Sequence, residues 1–79
     1  MDIEKQLIEE TIKWKARIEE ELAKAEPKSE RGKEFLSNIS AYVKDSGSFM
    51  EKKDFVRAFE AVIWAWAIFE TGKQAGFID

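Results

Sequence analysis

The residues of this chain able to do chemistry are carboxylates, lysines, arginines, hydroxyls and one phenol, Tyr42; histidine and cysteine are both absent. Without histidine the chain lacks the commonest general base and the commonest metal ligand. Without cysteine it lacks a thiol nucleophile, a thiolate metal site and a disulfide framework, a composition that fits a reducing compartment. Two carboxylates can share acid–base work when burial separates their pKa values. Here they cluster as Glu9-Glu10, Glu19-Glu20-Glu21 and Glu30 with Glu34, and helical spacing turns most of them outward. Glu70 is the exception, about 60° from the centre of its helix's apolar stripe, where pairing with a lysine is expected. The di-iron pattern of helical bundles needs Glu-x-x-His. That leaves only an all-oxygen site for a hard cation, and no loop is acidic enough to build one. We therefore expect no catalytic residue, no metal site and no cofactor, and no enzyme.

Two other groups of residues could bind rather than react. Lys13-Trp14-Lys15-Ala16-Arg17 interleaves an aromatic with cations, and Lys28, Arg31 and Lys33 cluster just beyond. Such patches suit phosphate contacts, so these six basic residues are the candidate nucleic-acid contacts. Acidic neighbours interrupt them, and Trp14 lies on an apolar stripe that favours the core. The second group centres on Trp64. With Phe55 at 0° and 100° per residue, Trp64 falls at about 180°, opposite the expected core stripe. Arg57, Glu60, Ala61, Ile68 and Thr71 surround it. An exposed apolar ridge with a polar rim suits a protein interface, tryptophan is enriched at binding hot spots, and a symmetric homodimer is the commonest form. The competing reading is that helix three rotates and buries Trp64 within the chain.

These groups need elements to hold them. Seventy-nine residues make one domain, 1–79. Ten aromatics (six Phe, three Trp and Tyr42) supply enough apolar surface for a folded core. Four glycines and one proline leave little turn chemistry for an all-β fold. The net charge of −3 gives no global attraction to nucleic acid or an anionic membrane. Met1-Asp2-Ile3-Glu4 is charged from the outset, unlike a signal peptide. The longest apolar run, Ala61 to Phe69, is nine residues, well short of the roughly 20 a spanning helix needs.

The spacing predicts helices over about 2–25, 28–51 and 54–74. In the first, Ile3, Leu7, Thr11, Trp14, Ile18, Leu22 and Ala25 share a face, with Ile8 and Ile12 at its edge and Glu9–Lys13 and Glu20–Lys24 as ion pairs opposite. In the second, Gly32, Phe35, Ile39, Tyr42, Val43, Ser46, Phe49 and Met50 share a stripe, and the Ser46 hydroxyl is expected to bond the Tyr42 carbonyl. In the third, Phe55, Phe59, Val62, Trp66 and Phe69 form the central stripe, Ala58 and Ala65 flank one side and Ile63 the other. Pro27 breaks the first helix and suits the first turn of the second; Lys52-Lys53-Asp54 makes the second reversal. Short turns force antiparallel neighbours, so the expected fold is an all-α, up-down-up three-helix bundle.

Three stretches in this order resemble a known family: Ala25-Glu26-Pro27-Lys28-Ser29-Glu30-Arg31-Gly32, then Lys53-Asp54-Phe55-Val56-Arg57-Ala58-Phe59-Glu60-Ala61-Val62, then Gly72 with Gly76-Phe77-Ile78-Asp79. Together they are similar to the small archaeal family catalogued as domain of unknown function 357. The resemblance spans essentially the whole chain. It implies a short helical domain of the archaeal cytoplasm and brings no activity, cofactor or catalytic residue. The chain departs from the pattern at Glu26, where Asp is usual, and at Trp66 and Ala67, where a more polar segment is usual. The functional expectation is a non-catalytic protein-interaction or self-association module, with an accessory RNA-binding module as the alternative. No small-molecule substrate is expected.

Overall fold

The computed structural model describes residues 2–79; Met1, part of the charged opening noted above, lies outside the described residues. Three helices follow one another: α1 (Ile3–Lys24), α2 (Glu30–Glu51) and α3 (Phe55–Gln74). They run up, down and up in a bundle 43 Å long and 20 by 17 Å across. Among the described residues there is no strand, and no helix is long and apolar enough to cross a membrane.

Local chemistry sets each helix start. The side chains of Asp2, Ser29 and Asp54 accept bonds from the amides of Lys5, Gly32 and Arg57, at 3.1, 3.1 and 3.3 Å. Caps of this type each contribute about 1 kcal/mol. The ends of α2 and α3 share one device, a left-handed residue after the last turn. In α2 it is Lys53, with φ 62°, and the amides of Lys53 and Asp54 return to the carbonyls of Met50 and Phe49. In α3 it is Gly76, with φ 80°, and the amides of Gly76 and Phe77 return to Lys73 and Gly72.

The first turn differs from the expected one. Helix α2 begins at Glu30 rather than Lys28, and Pro27 does not open it. Glu26-Pro27-Lys28 instead runs extended and pairs antiparallel with Phe77-Ile78-Asp79. The amide of Asp79 donates to the Glu26 carbonyl at 2.8 Å, and the amide of Lys28 to the Phe77 carbonyl at 2.9 Å. Pro27 sits opposite Ile78, at the one position in this short pairing that calls on no amide hydrogen. The closing segment thus covers one end of the bundle and buries Ile78 to 3% exposure.

The three apolar seams do not converge equally. Helix α3 packs against both others, most extensively against α2, while α1 scarcely meets α2. The reason lies in the small residues of α3. Ala58, Ala61, Ala65 and Gly72 are buried, so α2 approaches closely there. The Ser46 hydroxyl, expected to bond within its own helix, instead donates across this contact to the Ala58 carbonyl at 2.9 Å, with both groups buried. Helix α3 is accordingly turned by about 70° from the expected orientation. Phe55, Phe59 and Trp66, placed at the stripe's centre by spacing, are only half-buried, and Ile63 is exposed. The core proper gathers Ile18 of α1, Ile39 and Val43 of α2, Ala65 and Phe69 of α3, and Ile78. The expected ion pairs also shift by one residue: Lys13 meets Glu10 and Lys24 meets Glu21, at 3.4 and 3.9 Å. Both are exposed i,i+3 pairs and matter little to stability.

Candidate protein interface

The rotation of α3 decides what Trp64 does. Its side chain is 58% exposed, yet it does not stand opposite the core. It lies on the flank facing α2, about 110° from the buried direction. There the indole stacks on Tyr42, with ring centroids 6.3 Å apart and an interplanar angle of 17°. One face of the indole is therefore held by α2 while the rest meets solvent. Stacking of this kind is worth roughly 0.5–1.5 kcal/mol and fixes the orientation of the exposed ring.

Shallow open depressions lie on either side of Trp64. One, of about 220 Å³, is lined by Tyr42, Asp45, Phe49, Arg57, Glu60 and Ala61. The other, of about 280 Å³, is lined by Phe35, Asn38, Ala67, Ile68 and Thr71. Neither reaches the roughly 300 Å³ at which enclosed small-molecule sites begin. Two residues assigned to the exposed ridge by spacing are not on it. Ala61 is 5% exposed, because it is one of the small residues under α2. Ile68 is half-buried against the core cluster. Arg57, Glu60 and Thr71 are exposed as expected; Arg57 reaches Asp54 at 3.5 Å, and the Thr71 hydroxyl bonds the Ala67 carbonyl at 2.8 Å.

The α2 half of this face was missed by the sequence reading. Tyr42, Asn38 and Asp45 belong to it, and Tyr42 had been assigned inward. The available signal was that Asn38 and Asp45 stand four residues before and three after Tyr42, which puts all three on one side of α2.

A second apolar surface also escaped prediction. Ile3, Gln6, Leu7 and Glu10 of α1 line a cleft with Phe59 of α3. Val56 and Ile63, three before and four after Phe59, continue it, and Ile3, Val56 and Ile63 are all exposed. Spacing put Ile3 on the core face of α1 and Ile63 at the flank of the α3 stripe; with α3 turned, both are exposed at the rim of the core. Ile12, at the edge of the α1 stripe, is exposed too.

The six basic residues do not gather into one patch. Lys13, Lys15 and Arg17 sit at mid-α1, more than ~10 Å along the axis from the first turn at 1.5 Å per residue. Lys13, Lys15, Arg31 and Lys33 each contact a carboxylate, on Glu10, Glu19, Glu34 and Glu30. The Arg17 guanidinium lies over the Trp14 ring at 4.6 Å. Trp14 itself is half-buried, edge-on to Trp66 at 5.9 Å, with its indole N–H on Glu10 at 2.9 Å. The Trp66 indole in turn donates to the Trp14 carbonyl at 3.1 Å, tying α3 to α1. Lys28 is exposed, and its backbone is engaged by the closing segment.

Glu70 is exposed, and no ion pair among the described residues includes it; Lys73 lies over the Phe69 ring instead, at 5.4 Å. Among the described residues no group of three or more carboxylates is placed to hold a metal ion.

Comparison with known proteins agrees with this architecture. No curated protein matches the chain. The crystal structure of protein AF1782 from Archaeoglobus fulgidus, itself of the DUF357 family, superposes with a TM-score of 0.90. The two are 45% identical, and the match covers 99% of this chain and 97% of that one. The family model described as protein of unknown function DUF357 matches residues 13–78. On its helices, its two turns and its closing segment alike, the chain belongs to the DUF357 family.

Proposed function

We propose that this domain is a non-catalytic protein-interaction module of the cytoplasm, that it docks through the α2–α3 face around Trp64, and that its partner is a second copy of the chain. The observation that carries the reading is the indole held flat on Tyr42 while remaining 58% exposed. A large aromatic fixed before binding loses little side-chain entropy on contact, which is what a hot spot requires. The depressions beside it give a partner's side chains somewhere to go, and Asp45, Glu60 and Arg57 at the rim carry charges of both signs, so no single-sign field opposes self-pairing. A two-fold arrangement uses the same face twice. Nucleic acid is the weaker alternative, because most of the basic side chains already contact a carboxylate or a ring within the chain.

The test is a dilution series followed by the three indole N–H resonances. Those of Trp14 and Trp66 are already bonded within the chain, to the Glu10 carboxylate and the Trp14 carbonyl, so only that of Trp64 is expected to move with concentration. A spectrum in which no indole, or all three, responds would count against this face.

A further inference from the structure

Helix α3 is apolar on more sides than its two neighbours cover. Its buried alanines lie under α2, with the Ser46 hydroxyl on the Ala58 carbonyl, and the Trp66 indole ties it to α1. The side opposite Ala65 carries Val56, Ile63 and Ala67, all exposed. At 100° per residue they fall within about 40° of one another. A helix apolar all round belongs inside a larger assembly. Phe59 joins this stripe to the cleft of about 170 Å³ that Ile3 and Leu7 of α1 complete. Of the five large hydrophobic side chains exposed among the described residues, Ile3, Val56 and Ile63 lie here. Exposed hydrophobics are ordinary singly; three around one cleft mark a contact surface.

The geometry favours a helix as the occupant. Helices α1 and α3 run in the same direction, with α2 antiparallel against one side of the pair. A fourth helix, antiparallel on the other side, would complete a four-helix bundle. Charge decides whose helix it is. Glu60 and Glu70 lie on opposite flanks of the Val56–Ile63–Ala67 stripe, about 15 Å apart along the axis. Both are exposed, and neither belongs to an ion pair among the described residues. The cations of α1 and α3 beside the groove are already engaged: Lys13 by Glu10, Arg17 over the Trp14 ring and Lys73 over the Phe69 ring. A second copy presenting the same groove would bring its own carboxylates and no free cation. A helix with lysine or arginine on both sides of an apolar stripe supplies what is missing. We propose that the α1–α3 groove is a second docking site, and that its occupant is a cationic amphipathic helix of another protein. That helix is about four turns long, with basic residues about ten positions apart flanking its apolar stripe. Glu60 and Ala67 stand on the ridge between this groove and the Trp64 face. Ile3, Val56, Phe59 and Ile63 belong to the groove alone, so either site can fail without the other.

The test uses the full chain, isotope-labelled on its isoleucine, leucine and valine methyls, and two synthetic helices of about 14 residues that share a leucine stripe at helical spacing. One carries lysine at its other positions, the second glutamate. The lysine helix should shift the methyls of Ile3, Leu7, Val56 and Ile63 saturably, in the micromolar to submillimolar range, and leave those of Ile39 and Val43 in place. The glutamate helix should shift none of them. Val56→Ser combined with Ile63→Ser should weaken binding of the lysine helix at least ~10-fold, and Glu70→Gln should weaken it about 2–5-fold at low salt. Both apolar positions are exposed, so their replacement leaves the core packing intact; should that variant fold poorly, the wild-type shift map alone decides. Equal binding of both helices, shifts confined to other faces, or no shifts at all would overturn the proposal. So would movement of the Val56 and Ile63 methyls when the protein alone is concentrated, which would assign the groove to a second copy.

Discussion

Replacing Gly32 with alanine sets two effects of opposite sign against each other. Gly32 lies in the first turn of α2, where alanine favours the helix by up to about 1 kcal/mol. Propensity alone therefore predicts a stabilised protein. The structure predicts the reverse. The new Cβ would strike the Phe77 carbonyl oxygen and press on the Pro27 Cα, and both are backbone atoms that no rotamer change can move. Either the closing segment leaves or the first turn of α2 distorts. Losing the segment withdraws Ile78 from a site where it is 3% exposed, along with two good backbone hydrogen bonds to the turn. Truncation of a buried isoleucine costs about 2–5 kcal/mol. Set against the helical gain, a net loss of roughly 1–4 kcal/mol remains. At about 4–8 °C per kcal/mol for a domain of this size, the thermal midpoint should fall by roughly 4–30 °C. Circular dichroism melts of wild type, Gly32→Ala, Ile78→Asp and the double variant measure it. In the Ile78→Asp background the collision has already gone, so Gly32→Ala should become neutral or mildly stabilising, a coupling the double-mutant cycle isolates. A higher midpoint for Gly32→Ala alone, or additive effects in the double variant, would refute the reasoning.

Other perturbations follow from the same contacts. Ser46→Ala removes the hydroxyl that bridges α2 to the Ala58 carbonyl and should cost about 1 kcal/mol in urea unfolding, whereas Ser46→Val adds bulk at the same close approach and should cost ~1–3 kcal/mol. Lys53→Gly relieves a non-glycine residue at φ 62° and should raise stability by ~0.5–1 kcal/mol, readable as a higher denaturation midpoint at unchanged slope. Trp66→Phe deletes the indole N–H that reaches the Trp14 carbonyl while keeping an aromatic ring. It should cost ~1 kcal/mol or more and speed amide exchange where α1 meets α3.

The three helices and their antiparallel order were legible in the sequence because period, caps and breakers agree. Asp2, Ser29 and Asp54 stand where caps belong, and Pro27 stands where a helix must stop. The turn of α3 was not legible. Helical spacing of the large apolar residues put Phe55, Phe59 and Trp66 at the centre. In the bundle the alanines win, because they let α2 come close enough for Ser46 to reach a neighbouring carbonyl. That rotation carried Ala61 off the exposed ridge and Trp64 onto Tyr42, and it opened the cleft at Phe59. That the apolar Phe77 and Ile78 fold back onto the bundle end was legible from their side chains, and the structure buries Ile78 there; the pairing of residues 26–28 with 77–79 was hidden for a different reason. It joins segments fifty residues apart, and its clearest local trace is a glycine in a helix's first turn, which pattern alone reads as a weak helix former.

The most direct test of the interaction reading is sedimentation of wild type and Trp64→Arg from micromolar to millimolar concentration. Trp64 contributes mainly a surface stack, so the variant should keep its helical signal and most of its stability. The wild type should associate as concentration rises, and Trp64→Arg should weaken that association at least ~10-fold, equivalent to about 1.4 kcal/mol. A wild-type chain that stays monomeric throughout, or a variant that associates equally well, would contradict the account.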